Sequence, residues 1–366
     1  MTSLSTSEYG VFAIHDSGVP IGSKENYITL VILHGFTWHA GVFTRLLPLA
    51  HQFNTRIVLV NRRDYPGSKP FDHEELRPIL SIDAIGADAL SVLNTYMKER
   101  ARELYEFLEL FVQKEKIPKD GRLIVVGWSF GANWITALLA NAQELSVNRI
   151  PLSAYIRWLI LYDPPYHSLG YAPPETYYNS LAELSESPEE VFEKFQAYVS
   201  GYYSHGELPR GLELRNPAPH PRPTFETMSP EEIELSMYPS PAFPGRSDTL
   251  LLEAGIQHGL FRELKDAVLY RQTRTTSSDD VLGAWDNVKV RYVWCDHSSW
   301  EVPWGAWSMQ AELEAAKTLG KPARQIEFVR VEGANHFAHW DQPERALRAF
   351  LDDNIQRLPV TMDQLK

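Results

Sequence analysis

Residues 123–134 read LIVVGWSFGANW. A continuous apolar run, Leu123 to Val126, stops at Gly127, and a helix-like segment, Ala132 to Ala140, begins a few residues later. Between them one serine, Ser129, stands two positions from a glycine on either side, giving the pattern Gly-x-Ser-x-Gly. The spacing has a physical logic. A serine at a tight strand-to-helix turn takes strained backbone angles, and its Oγ is thrust above the end of the strand. Bulky side chains two residues before or after would collide within the turn, and Gly127 and Gly131 remove them. The N-terminus of the following helix aims backbone N–H groups at the same place, which favours negative charge developing there. So short a pattern occurs by chance, and the buried strand before it and the helix after it supply the context it requires.

The flanking segments repeat this strand–helix rhythm. YITLVILHGF (27–36) and TRIVLVNRRD (55–64) are β-branched and aromatic runs, as expected for strands buried on both faces. A long helical pattern runs from about Ser81 to Lys116, and RLIVVG (122–127) and YIRWLILYD (155–163) read as further strands. The order argues for a parallel sheet with helices on both faces. After Asp163 no comparable strand run occurs until VKVRYVWC (288–295), followed by a helix near Met309–Leu319, the strand QIEFVRVEG (325–333) and a helix from Pro343 to about Ile355. Between them lie helical pieces at 189–203 and 250–269, joined by a proline-rich connector (Pro209 to Pro244) whose interleaved Tyr, Phe, Met and Leu predict an ordered loop. The expected organisation is a core of residues 1–163 and 284–366, with 164–283 inserted as a cap over the C-terminal edge of the sheet, where open α/β sheets bind ligands.

Composition narrows the function. The 366 residues carry a formal net charge of −12, which repels phosphate backbones and makes nucleic acid a poor partner. The single cysteine, Cys295, excludes an intrachain disulfide and a cysteine metal cluster, and at the end of a strand it reads as buried and inert. The N-terminal stretch MTSLSTSEYG lacks the basic and apolar regions of a signal peptide, MDQLK at the C-terminus is no retention address, and no apolar run approaches about 18 residues. A cytoplasmic protein without a membrane span is expected. No pattern speaks to oligomeric state.

A nucleophilic serine needs a base and an anion site. The strand ending at Leu33 runs into HGFTWH, where Gly35 lets the chain turn close, so the N–H of Phe36 can join that of Phe130 as a two-donor oxyanion hole. The strand ending near Val331 runs into EGANHFAHWDQPE, and His336 in this turn is the expected base. His34 reads as a brace for the oxyanion loop, and His39 and His339 as surface or supporting residues. No third ligand accompanies His336 and His339, so no metal and no cofactor is expected. Trp38 and Trp128 flank the reaction centre and are candidate pocket residues.

Together these residues resemble the α/β-hydrolase superfamily, in particular its cap-bearing serine hydrolases. His34-Gly35-Phe36, the tail NRRDYPGSKP (61–70), the elbow Gly127-Trp128-Ser129-Phe130-Gly131 and the loop GANHFAHWDQPE (333–344) carry the resemblance. It implies a mostly parallel central sheet flanked by helices, with a large, mainly helical cap inserted after the sixth strand. It further implies that Ser129 and His336 form the catalytic pair, with Phe36 and Phe130 as oxyanion donors. The family also has an acid that orients the histidine. Its usual place, after the strand VKVRYVWC, here holds Ser298 and Ser299, with Asp296 early and Glu301 late. Some members carry the acid after the previous strand, which is Asp163 in LILYDPPY. Asp163 is preferred, with Asp296 as the alternative and Glu301 behind both. Epoxide hydrolases and haloalkane dehalogenases of this fold use an aspartate nucleophile, so Ser129 points instead to acyl transfer. The expected substrate is an apolar, medium-sized carboxylic ester or lactone, cleaved through an acyl-enzyme. The alternative is a non-hydrolytic use of the same pocket by a lyase, a cyclase or isomerase, or a ligand receptor.

Overall fold

The computed structural model describes residues 6–23, 26–82, 86–179, 188–270, 285–353 and 355–359. The outermost terminal residues and the expected cap boundary at 283–284 lie outside them. The six expected strands form: β3 (Ile28–Leu33), β4 (Thr55–Asn61), β5 (Leu123–Trp128), β6 (Ile156–Tyr162), β7 (Lys289–Cys295) and β8 (Ile326–Val331). Two strands absent from the sequence reading precede them, β1 (Thr6–Tyr9) and β2 (Phe12–Asp16), and a third, β9 (Arg357–Leu358), follows. The sheet order is β1-β2-β4-β3-β5-β6-β7-β8-β9, antiparallel at β1–β2 and β2–β4 and parallel elsewhere.

Why continuous apolar runs make these strands is visible in where their side chains go. In β3, Val31 and Leu33 enter one core while Leu30 and Ile32 enter the other; in β5, Leu123 and Val125 oppose Ile124, Val126 and Trp128. With both faces buried, alternation disappears from the sequence. Each such side chain contributes about 1.5–3 kcal/mol by leaving water. Helices Ala89–Lys114, Ala132–Leu145 and Leu260–Tyr270 cover the first face. The 3-10 segment Ala40–Leu49 and helix Pro343–Leu351 cover the second.

Three boundaries differ from the sequence reading, each for a local reason. Within the helical pattern from Ser81, the long helix starts at Ala89, preceded by the 3-10 turn Gly86–Asp88, whose Gly86 takes a left-handed φ of 66°. The 250–269 piece is two helices, Ser247–Gln257 and Leu260–Tyr270, broken at Gly259 with φ 75°. The helix expected near Met309 starts at Glu301 and runs to Thr318. The proline-rich connector is ordered, as expected: it holds short helices at Thr224–Thr227 and Pro230–Glu234 and buries Thr224, Met228, Ser236 and Pro241.

Between Tyr162 and Lys289 the described residues add no strand to the sheet. Part of this insertion is nevertheless continuous with the main core. Leu260, Phe261, Leu264 and Val268 pack in the same apolar cluster as Leu104, Leu108 and Leu138 of the sheet-covering helices.

Candidate active site

Ser129 sits between β5 and helix Ala132–Leu145 with φ 54°, a left-handed conformation that a non-glycine residue adopts only under local constraint. The constraint is steric. A Cβ on Gly127 would lie 2.4 Å from the Gly131 carbonyl oxygen, and one on Gly131 would lie 2.5 Å from that of His34. Gly35 meets the elbow from the other side: a Cβ there would stand 2.8 Å from Ser129 Cβ. The three glycines let the end of β3 and the elbow touch, which carries Phe36 to Ser129.

The histidine loop follows β8, and the parallel register brings it beside the ends of β6 and β7. His336 Nδ1 lies 2.6 Å from Asp163 Oδ2, and Asp163 is fully buried. Asp163 accepts two further hydrogen bonds, from the Cys295 N–H at Oδ1 and from Ser298 Oγ at Oδ2, each 2.6 Å long. The serine that stands where an acid was expected therefore donates to the acid of the neighbouring strand. Asp296 is committed elsewhere: it accepts from Arg330 Nε at 2.9 Å and from the Gly333 N–H at 2.6 Å. Only Asp163 of these two is paired with His336.

Ser129, His336, Phe36 and Phe130 line one cavity of about 320 Å³. Its wall is largely aromatic and aliphatic, with Tyr166, Tyr177, Tyr178, Phe195, Val199, Leu252 and Ile256 from the inserted segment facing Trp300 and Val302. Trp38 and Trp128, expected in the pocket, are not part of this lining. Trp128 is turned into the core by strand alternation, against Phe43, Phe337 and His339, and donates from Nε1 to the His336 carbonyl at 3.0 Å. Trp38 is tied by Nε1 to Gln196 at 2.7 Å. Both support the site from behind its wall.

A model of the alpha/beta hydrolase family matches residues 30–349, spanning β3 to the last helix. The chain belongs to that family. No curated protein matches it significantly. Solved structures with a similar fold include a Vigna radiata epoxide hydrolase variant, at 12% identity over 95% of this chain and 96% of that one with a TM-score of 0.51. Potato (Solanum tuberosum) epoxide hydrolase I aligns at 12% identity over 95% and 97%, TM-score 0.45. A variant N-acyl homoserine lactonase aligns at 13% identity over 98% of both chains, TM-score 0.48. Identities this low show a shared fold and nothing finer.

Within this alpha/beta hydrolase His34, His39 and His339 are buried, and burial disfavours their charged forms. His34 Nε2 accepts from the Arg62 N–H at 2.9 Å, so Nδ1 carries the proton toward the Gly35 carbonyl 3.0 Å away; burial, then the Arg62 charge, push its pKa well down. Burial lowers His39 to about 4 and pushes His339 well below its usual value. His39 and His339 are thus not surface groups, and His339 packs on Trp128 with ring centroids 4.6 Å apart. Cys295 is buried, and burial pushes its thiol well above the usual range. Among the described residues no group of three His, Cys, Asp or Glu side chains is placed to hold a metal, and no helix is long and apolar enough to cross a membrane.

Glu301, only third in line as an acid from sequence, lines the cavity and accepts from the Tyr198 hydroxyl at 3.4 Å. Burial raises its pKa above 4.5, with hydrogen bonding from Ser299 acting against the rise. At low pH the folded and unfolded chains both hold this proton. As pH rises through the raised value, the charged form penalises the fold. Glu301→Gln is therefore expected to raise the thermal midpoint more at pH 8 than at pH 4. A gain independent of pH, read by scanning calorimetry, would contradict this assignment.

Proposed function

We propose that the chain is a serine hydrolase that cleaves an apolar, medium-sized carboxylic ester or lactone. The reading rests above all on the buried Asp163–His336 contact of 2.6 Å opening onto the cavity that Ser129 enters from a strained elbow. An ionised Asp163 can only accept, so it keeps the proton of His336 on Nδ1 and leaves Nε2 as the base. Ser129 Oγ attacks the carbonyl carbon as His336 takes its proton. The Phe36 and Phe130 N–H groups stabilise the oxyanion, and the alcohol departs with the proton that His336 returns. Water, deprotonated by the same imidazole, then attacks the acyl-enzyme and frees Ser129.

The substrate class follows from the wall. A cavity of about 320 Å³ is at the small end of ligand pockets. Among its described lining residues none is Lys or Arg, while Glu301 contributes a carboxyl, so a substrate bearing a carboxylate meets no Lys or Arg to balance its charge there. In this reading residues 164–283 act as the cap, because they supply the aromatic roof and thereby select the acyl or alcohol group.

Labelling with a fluorophosphonate probe tests the reading. A single adduct, mapped to Ser129 and absent from Ser129→Ala, is expected. Folded wild-type protein that stays unlabelled yet binds a small apolar ligand would sink the acyl-enzyme and favour a receptor or a non-hydrolytic reaction.

A further inference from the structure

We propose that Asp248, on helix Ser247–Gln257, is a positioning residue for the oxyanion donor Phe36, acting through Arg62 and Tyr65. The proposal rests on the serine-hydrolase reading above and adds a link between the inserted segment and the reaction centre.

Arg62 and Asp248 form a two-pronged pair, Nη1 to Oδ1 at 2.8 Å and Nη2 to Oδ2 at 2.6 Å, with side chains only 1% and 5% exposed. Such a pair could simply weld the helix to the core. The remaining donors of Arg62 argue otherwise, because they converge on the oxyanion loop. Nη2 donates to the Gly35 carbonyl at 2.7 Å, Nε to the His34 carbonyl at 3.2 Å, and the backbone N–H to His34 Nε2 at 2.9 Å. The Gly35 carbonyl and the Phe36 N–H belong to one planar trans peptide and point in opposite directions. Gripping that oxygen aims the N–H the other way, and polarising the carbonyl strengthens the N–H as a donor.

The peptide on the other side of Phe36 is held from the same carboxylate. Tyr65 donates to Asp248 Oδ2 at 2.8 Å, and its hydroxyl oxygen accepts from the Thr37 N–H at 3.2 Å. Thr37 has a left-handed φ of 68°, a conformation that needs such an anchor. Asp248 thus fixes both peptide units that flank Phe36, one through Arg62 and one through Tyr65. The Phe36 N–H itself makes no hydrogen bond among the described residues.

The helix that carries Asp248 also touches the cavity. Leu252 and Ile256, four and eight residues on and so on the same helix face, line it. One rigid element therefore meets the substrate space with two side chains and the oxyanion loop with a third.

Four proteins test this: wild type, Asp248→Asn, Arg62→Met and the double variant Arg62→Met with Asp248→Leu. Three quantities are read: kcat and KM on a p-nitrophenyl ester turned over in a Ser129-dependent manner, the affinity of a trifluoromethyl ketone whose adduct carries the oxyanion, and the thermal midpoint. Misaiming one donor is expected to lower kcat by about 10- to 100-fold with KM little changed, and to weaken the ketone in parallel. A buried charge stripped of its partner is expected to destabilise the single variants. The double variant removes both charges and is expected to regain thermal stability without regaining kcat. If kcat returns with stability, or if folded Asp248→Asn turns over normally, the pair is only a weld and the inference falls. If wild type shows no Ser129-dependent turnover, the hydrolase reading itself fails, and this inference with it.

Discussion

Asp163→Asn is expected to lower ester turnover by about 10⁴-fold with KM nearly unchanged. The side chain accepts three hydrogen bonds at 2.6 Å, from the Cys295 N–H, Ser298 Oγ and His336 Nδ1. An amide has only one oxygen with which to accept. Because the Cys295 N–H claims that oxygen at the Oδ1 place, the amide NH₂ takes the Oδ2 place, where the Ser298 hydroxyl can turn to accept and His336 Nδ1 must accept. The imidazole proton moves to Nε2, which can then no longer take the proton of the Ser129 hydroxyl. Asp296→Asn is the control. It disturbs the contacts to Arg330 and Gly333, away from His336, and should change kcat only a few-fold. Removing the Ser298 hydroxyl takes away one charge-assisted bond and should cost far less than replacing Asp163. Steady-state kinetics on the three variants decide the matter: a larger drop for Asp296→Asn, or an active Asp163→Asn, would reassign the acid.

The second large effect concerns the catalytic pair. Ser129→Ala and His336→Ala should each lower kcat by about 10⁶-fold, and the double variant should lose no more than either single one. In the proposed mechanism serine and histidine act in one proton transfer, so removing either removes the step. The residual rate comes from binding and the oxyanion donors. Losses that add across the double variant would mean that the two side chains act separately, and the acyl-enzyme mechanism would have to be given up.

How much of this was legible in the sequence can be followed residue by residue. The central strands were visible because burial on both faces turns them into unbroken apolar runs. β1 and β2 escaped because TSEY and FAIHD are short and carry polar residues, and they join the sheet only through the pairing of β2 with β4. The elbow was legible because its requirement is local: two glycines and a small nucleophile within five residues. Trp38 and Trp128 were assigned to the pocket from nearness in sequence to the reaction centre. Nearness says nothing about which way a side chain points, and both are buried without lining the cavity. Arg62 and Asp248 gave no signal, since 186 residues separate them.

By itself, then, the sequence determined the parallel sheet, the serine elbow and the histidine turn, because strand periodicity and turn sterics act over a few residues and leave their mark there. Only the tertiary structure decided which carboxylate stands beside His336, which aromatics roof the cavity and what grips the oxyanion loop. Those choices depend on strand neighbours and buried ion pairs joined across more than a hundred residues, where no spacing rule reaches.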